Sequence, residues 1–321
     1  MASAHVSPIE ADHVDIFGRQ GHVMGTVDGK VIMAGGSNDD HEDGSVWCFS
    51  EVDGWEKLHS DAKFGYGSAA ATCPDGSGDL LIFGGSNLLG TCTNEVLRVS
   101  ADKDGKLSVR IVDVKGQAHA RCNMHATTVG DRVFVTGGFD GAEHLEKVEV
   151  YRPDGSGGLV VENMPLPKLS VAPRSLHSSV VVDGKLYLIG GEMYTYSGTE
   201  FQPIVYLDLE KRVWEQVRLG SGEAEKMTRR AGAASVDMGD GKVLLFGGWS
   251  HAGEENKPRV DAGIINVRDG KWTDVEIKGS GISGRAGVAA TRVADGMIYA
   301  FGGWDGGFNF HKDMFEINLD A

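Results

Sequence analysis

The sequence predicts an all-β fold, a β-propeller of six four-stranded antiparallel blades, on three observations. Six Gly-Gly pairs recur along the chain, at Gly35-Gly36, Gly84-Gly85, Gly137-Gly138, Gly190-Gly191, Gly247-Gly248 and Gly302-Gly303. Their spacing is close to the roughly 50-residue period of propeller repeats. Each pair ends an apolar run, such as Leu80 to Phe83 or Val243 to Phe246, which reads as a buried strand. Asp-Gly turns at Asp28-Gly29, Asp183-Gly184 and Asp240-Gly241 precede three of those runs, and such turns between apolar segments are strong hairpin signals.

The remaining elements of each repeat follow in order. Arg19, Arg121, Arg174, Arg230 and Arg285 stand 16 or 17 residues before a Gly-Gly pair, and His22, His125 and His177 follow three of them closely. This places the arginines just before the innermost strand of each blade. After Gly-Gly comes a loop, then a third strand such as Val148 to Tyr151 or Ile204 to Leu207. A fourth strand opens with Trp55, Trp214 or Trp272. The sixth unit runs out after its third strand, Met314 to Leu319, whereas Asp12 to Phe17 stands before Arg19 as Trp272 to Ile277 stands before Arg285. Residues 12–17 are therefore expected to complete the blade of 285–319, so that 1–321 forms one closed domain without an unpaired seam.

The order Arg, His, Asp-Gly turn, apolar strand, Gly-Gly, Val-x-x-Tyr-like strand and Trp resembles the kelch repeat over essentially the whole chain. Unit two departs from it, with Phe64 to Gly67 where Arg belongs and Leu107 in place of Trp, and unit three has Leu159 in place of Trp. The resemblance implies a binding module that holds a peptide or protein loop at the channel mouth. The alternative it implies is a small-molecule enzyme, lyase-like or isomerase-like as in free-standing kelch enzymes, acting on an anionic substrate in the central pocket. The iron-binding pattern of the plant specifier proteins, Glu-x-x-x-Asp followed by His or Cys, is not recognisable here.

Composition narrows the setting. The 47 glycines suit a turn-rich all-β chain, and the formal charge of −15 argues against nucleic acid and anionic membrane as partners, because both reward a basic footprint. Cys48, Cys73, Cys92 and Cys122 show no paired or metal-like spacing and read as free thiols of a reducing compartment. A monomeric cytoplasmic or nuclear protein is expected. No residue pattern calls for a cofactor or a metal, although Asp39 to Asp43 and His251 with Glu254 and Glu255 offer weak cation arrangements.

The connections fall into two sets. Those between the first two and the last two strands of a blade are short, whereas the others are long and varied, including 37–44, 86–94, 192–203, 249–260 and 304–312. Long loops on a rigid scaffold carry function. On that face the five arginines are expected to ring the channel mouth and capture an acidic peptide or small anion, the alternative being that they belong to the repeat's framework and bond loop carbonyls between blades. Glu192, Tyr194, Tyr196, Trp249, Trp304 and Phe308 are expected beside them, since aromatics with Arg are the composition of recognition hot spots. His22, His125 and His177 occupy the repeat's own His position and read as framework. No nucleophile elbow or phosphate-binding loop is present, so no catalytic residue is assigned.

Overall fold

The computed structural model describes residues 2–11, 15–59, 65–87, 89–164, 173–192, 203–222, 226, 230–249, 257–279, 282–293 and 296–320. Among them the fold is all-β, and its unit is a four-stranded antiparallel sheet. The first repeat shows the pattern: Val23–Val27, Lys30–Ala34, Val46–Ser50 and Gly54–His59 pair in sequence order. The second and fourth repeats repeat it with Ala69–Thr72 through Leu107–Ile111 and with Ser178–Val182 through Val213–Gln216. The third, from His125–Val129 to Leu159–Asn163, carries a short extra edge, Val114–Lys115, parallel to its last strand.

Local chemistry explains the hairpins. Asp28, Asp183 and Asp240 have φ near 50°, and the glycine after each is also positive. This is the left-handed pair that a two-residue hairpin turn demands, and Asp-Gly supplies it with little strain. The second strand of each sheet is buried on both sides, as in Leu80–Phe83 and Ile298–Phe301, because each sheet is sandwiched between its neighbours. Hence these strands read as unbroken apolar runs rather than as alternation.

The core is accordingly distributed between sheets. Met33, Trp47, Phe49 and Trp55 of the first repeat pack with Tyr299, Phe301 and Met314 of the last. Tyr151 meets Phe83 of the preceding repeat edge to face at 5.0 Å, and Trp272 packs with Tyr187 and Ile189. The first strands neighbour one another around an axis. Val23–Val27 lies against both Ala69–Thr72 and Ala289–Arg292, and His125–Val129 against both Ala69–Thr72 and Ser178–Val182.

An N-terminal strand does complete the last sheet, but its position corrects the sequence reading. Ala2–Ile9, not the segment 12–17, pairs antiparallel with Met314–Leu319, in the register Val6 to Ile317. On its other side the same strand pairs parallel with Lys271–Gly279, Ala2 opposite Val275. The last two repeats are thereby joined into one eight-stranded sheet. Of the expected segment, 12–14 lie outside the described residues, and Asp15 to Phe17 carry no strand. Both stretches alternate apolar and polar residues, so the choice rests on pairing with Met314–Leu319, which no local pattern encodes.

Candidate functional site

The five arginines do not ring the channel mouth. All are at most 2% exposed, and none lines the central cavity. Each points its Nη1 at the carbonyl of the first glycine of its own Gly-Gly pair. The distances are 2.8 Å from Arg19 to Gly35, 2.9 Å from Arg121 to Gly137, 3.1 Å from Arg174 to Gly190, 2.8 Å from Arg230 to Gly247 and 3.0 Å from Arg285 to Gly302. The chain leaves the sheet at that glycine, so its buried carbonyl needs a donor from elsewhere. A guanidinium supplies one and has donors left over.

In four of the five, remaining donors meet a carboxylate whose pairing the sequence reading missed. Arg19 meets Asp43 at 3.1 Å, Arg121 meets Glu149 at 2.9 Å, Arg230 meets Asp261 at 2.7 Å and Arg285 meets Asp313 at 2.8 Å. Burial lowers the pKa of Arg174 to about 10, and it lowers those of Arg19 and Arg230 against the opposing pull of Asp43 and Asp261. Asp261 is held down at about 2: burial acts the other way and is outweighed by hydrogen bonds and charge from Arg259 and Arg230. Asp43 is taken up by Arg19, the Ser45 amide and Trp47, so this carboxylate of the acidic loop faces inward. In the second repeat, Gly65 replaces the arginine. A Cβ there would fall 2.1 Å from Glu42 Oε1, so the Glu42 side chain lies against the vacated position.

Two residues after the arginine position lies the feature that shapes the mouth. Gly21, Gly67, Asn123, Leu176, Gly232 and Gly287 all have φ between 54° and 72°. Their backbones form a closed cycle, each N–H donating to the carbonyl of the equivalent residue one repeat earlier. Gly67 donates to Gly21 at 2.7 Å, Asn123 to Gly67 at 2.6 Å, Leu176 to Asn123 at 2.8 Å, Gly232 to Leu176 at 2.9 Å, Gly287 to Gly232 at 2.8 Å and Gly21 to Gly287 at 3.0 Å. Asn123 and Leu176 alone carry side chains at this collar.

The collar residues line a central cavity of about 280 Å³ together with His22, His125, His177, Ser68, Ser178 and Ser235. The histidines are framework, as their repeat position suggests. A Cβ on Gly302 would come within 2.9 Å of His22, and one on Gly137 within 2.8 Å of His177, so these two imidazoles fill the space under neighbouring Gly-Gly pairs; Met124 takes that place under Gly84, and His125 instead shares a hydrogen bond with Ser179 at 2.7 Å. Burial, and then the Arg19 charge, pushes His22 down to about 3; burial pushes His125 to about 4. His177 is lowered well below its usual value by burial, then by His125 and Arg174.

On the long-loop face, Glu192, Trp249 and Trp304 follow their Gly-Gly pairs in equivalent places. Each forms a β-bridge to the residue after the arginine, namely Ser175, Ala231 and Ala286. The two indoles stack at 5.1 Å and 20°, and Phe310 continues the stack beyond Trp304 at 6.4 Å. Phe308 projects from the same turn and is 95% exposed. Asp305 organises that turn, accepting from the Gly307 amide and the Asn309 side chain, while Trp304 Nε1 donates to the Gly307 carbonyl at 2.7 Å. Pro258 of the preceding repeat borders the stack, bridged to Trp249. Tyr194, Tyr196 and His251 lie outside the described residues.

A family model described as the KLHDC2/KLHL20/DRC7 Kelch-repeats domain matches residues 21–248 and 159–321. The chain belongs to this kelch-repeat family. Kelch domains as a class are protein-binding modules. The dynein alpha chain of the flagellar outer arm of Chlamydomonas reinhardtii is 26% identical over 151 residues, which are 46% of this chain and 3% of that protein. The chain thus spans only a small part of that relative. In this kelch domain the arginines are wall and the collar and histidines line the axis, while among the described residues the aromatic stack and the exposed Phe308 and Leu89 lie on the long loops. No described helix is long and apolar enough to cross a membrane.

Proposed function

We propose that the chain is a six-bladed kelch propeller that binds a segment of another protein on its long-loop face, across Trp249, Trp304, Phe308 and Phe310. The observation that carries this reading is Phe308, a large apolar side chain left almost wholly in water beside a stacked aromatic trio. A rigid exposed aromatic on a well-braced turn is the kind of anchor that dominates binding energy. An acidic partner was expected from the arginine ring. With those guanidiniums closed into the wall, the anchor is apolar.

An enzyme acting on a small anion would work in the central cavity. That lining has no lysine or arginine among the described residues, which favours the module. The test is capture of partners from a native extract by the wild type and by Phe308→Ala. Loss of a hot-spot aromatic costs about 2 kcal/mol or more of affinity, so a captured protein should drop out while the melting curve stays unchanged. Equal capture by both proteins overturns the reading.

A further inference from the structure

We propose that Cys92 and Cys122 are a redox-sensitive thiol pair that closes to a disulfide on the long-loop face. Thirty positions apart in sequence, they are brought together where the loop of the second repeat meets the start of the third. The Arg121 N–H donates to the Thr93 carbonyl at 3.1 Å, which ties the two segments beside the cysteines. Cys92 Sγ donates to the Phe139 carbonyl at 3.4 Å, and the same carbonyl accepts the Cys122 amide at 2.8 Å. The Cys92 thiol and the Cys122 amide thus share one acceptor, which brings the two residues together. Cys92 is half-buried, whereas Cys122 is 4% exposed.

This division assigns the roles. With a peroxide as oxidant, the Cys92 sulfur attacks the O–O bond; an S–O bond forms and water leaves, giving the sulfenic acid. The Cys122 sulfur then attacks the Cys92 sulfur, forming S–S and breaking S–O, and the hydroxyl departs as water with the Cys122 proton. Two thiols lose two protons and two electrons, and one peroxide becomes two waters. Burial raises the pKa of both thiols, that of Cys122 to about 12, so closure is faster at alkaline pH. The bridge would pin loop 86–94 to the strand start beside Phe139. A dithiol reductant reopens it.

The experiment treats the purified chain with hydrogen peroxide, alkylates it in denaturant and maps the peptides by mass. The expected result is that two of the four cysteines are protected, that the Cys92 and Cys122 peptides are joined, and that dithiothreitol restores both thiols. In Cys122→Ala the Cys92 sulfenic acid should persist and be trapped by dimedone, and in Cys92→Ser no joined peptide should form. Bridging that involves Cys48 or Cys73, or over-oxidation of Cys92 in the folded wild type without a joined peptide, overturns the proposal.

Discussion

Arg121 and Glu149 show how much of a kelch wall depends on single charges. Glu149 is fully buried and accepts from the His119 amide and ring and from Tyr151, besides its contact with Arg121. Removing one partner of a buried pair leaves the other charge uncompensated, at a cost of about 3–5 kcal/mol. Arg121→Ala is therefore expected to lower unfolding free energy in urea by that order, whereas a ligand-only role predicts no change. A second consequence concerns protons. His22 and His125 have folded pKa values near 3 and 4, below the unfolded value of about 6.5. Below about pH 6.5 the unfolded chain binds protons that the folded chain refuses, so stability is full above that pH and falls as pH drops toward 4. Unfolding free energies measured between pH 7 and pH 4.5 should show this slope, and His125→Gln should reduce it by about one proton. His22 and His177 were legible as framework because their place is a local repeat position, whereas His125 stands one residue past it and Met124 fills the place. The arginines were legible as a repeated feature, with a carbonyl-bonding framework role and an anion site both open, but their carboxylates were not, because these lie 24 to 31 residues away.

Strand Ala2–Ile9 shows the same limit one level up. Hairpins such as Asp183-Gly184 were readable since turn chemistry and flanking apolar runs are neighbours in sequence. The closing strand was readable as a need, the missing fourth strand of the last repeat, but its residues are chosen by partners almost a chain length away. Its packing is tight: a Cβ on Gly279 would lie 2.3 Å from the Val6 carbonyl, at a φ of +119°. Gly279→Ala should therefore push the strand off its parallel neighbour and lower the melting temperature. Removing residues 1–9 should go further, exposing the edges of both Lys271–Gly279 and Met314–Leu319, and light scattering should then report association through those edges. An unchanged melting curve for the truncated protein would refute the closure described here.

The collar couples all repeats and makes a comparison between two glycines informative. Gly21 and Gly29 have similar φ values, 66° and 72°, but a Cβ on Gly29 meets nothing within 4 Å while one on Gly21 would fall 2.3 Å from the Tyr66 ring. Gly29→Ala should lose only the left-handed penalty of about 1–2 kcal/mol. Gly21→Ala should lose clearly more, because Tyr66 must move and the bonds to Gly67 and Gly287 move with it. Equal losses in thermal unfolding would mean that the collar adds nothing to the repeats it joins.

That cycle of amides also behaves as a hoop around staves. Its hydrogen bonds run in one sense around the ring, so it has no ends to fray. The hoop has room for a fixed number of staves: adding or losing one repeat would force every remaining joint to a new angle at once. During synthesis it stays open until Gly287 and the strand Met314–Leu319 have been made, so the early repeats must wait, edges bare, for the last ones. Substitutions that slow the final repeat should therefore reveal themselves first as aggregation of the nascent chain, before any loss of stability in the finished ring.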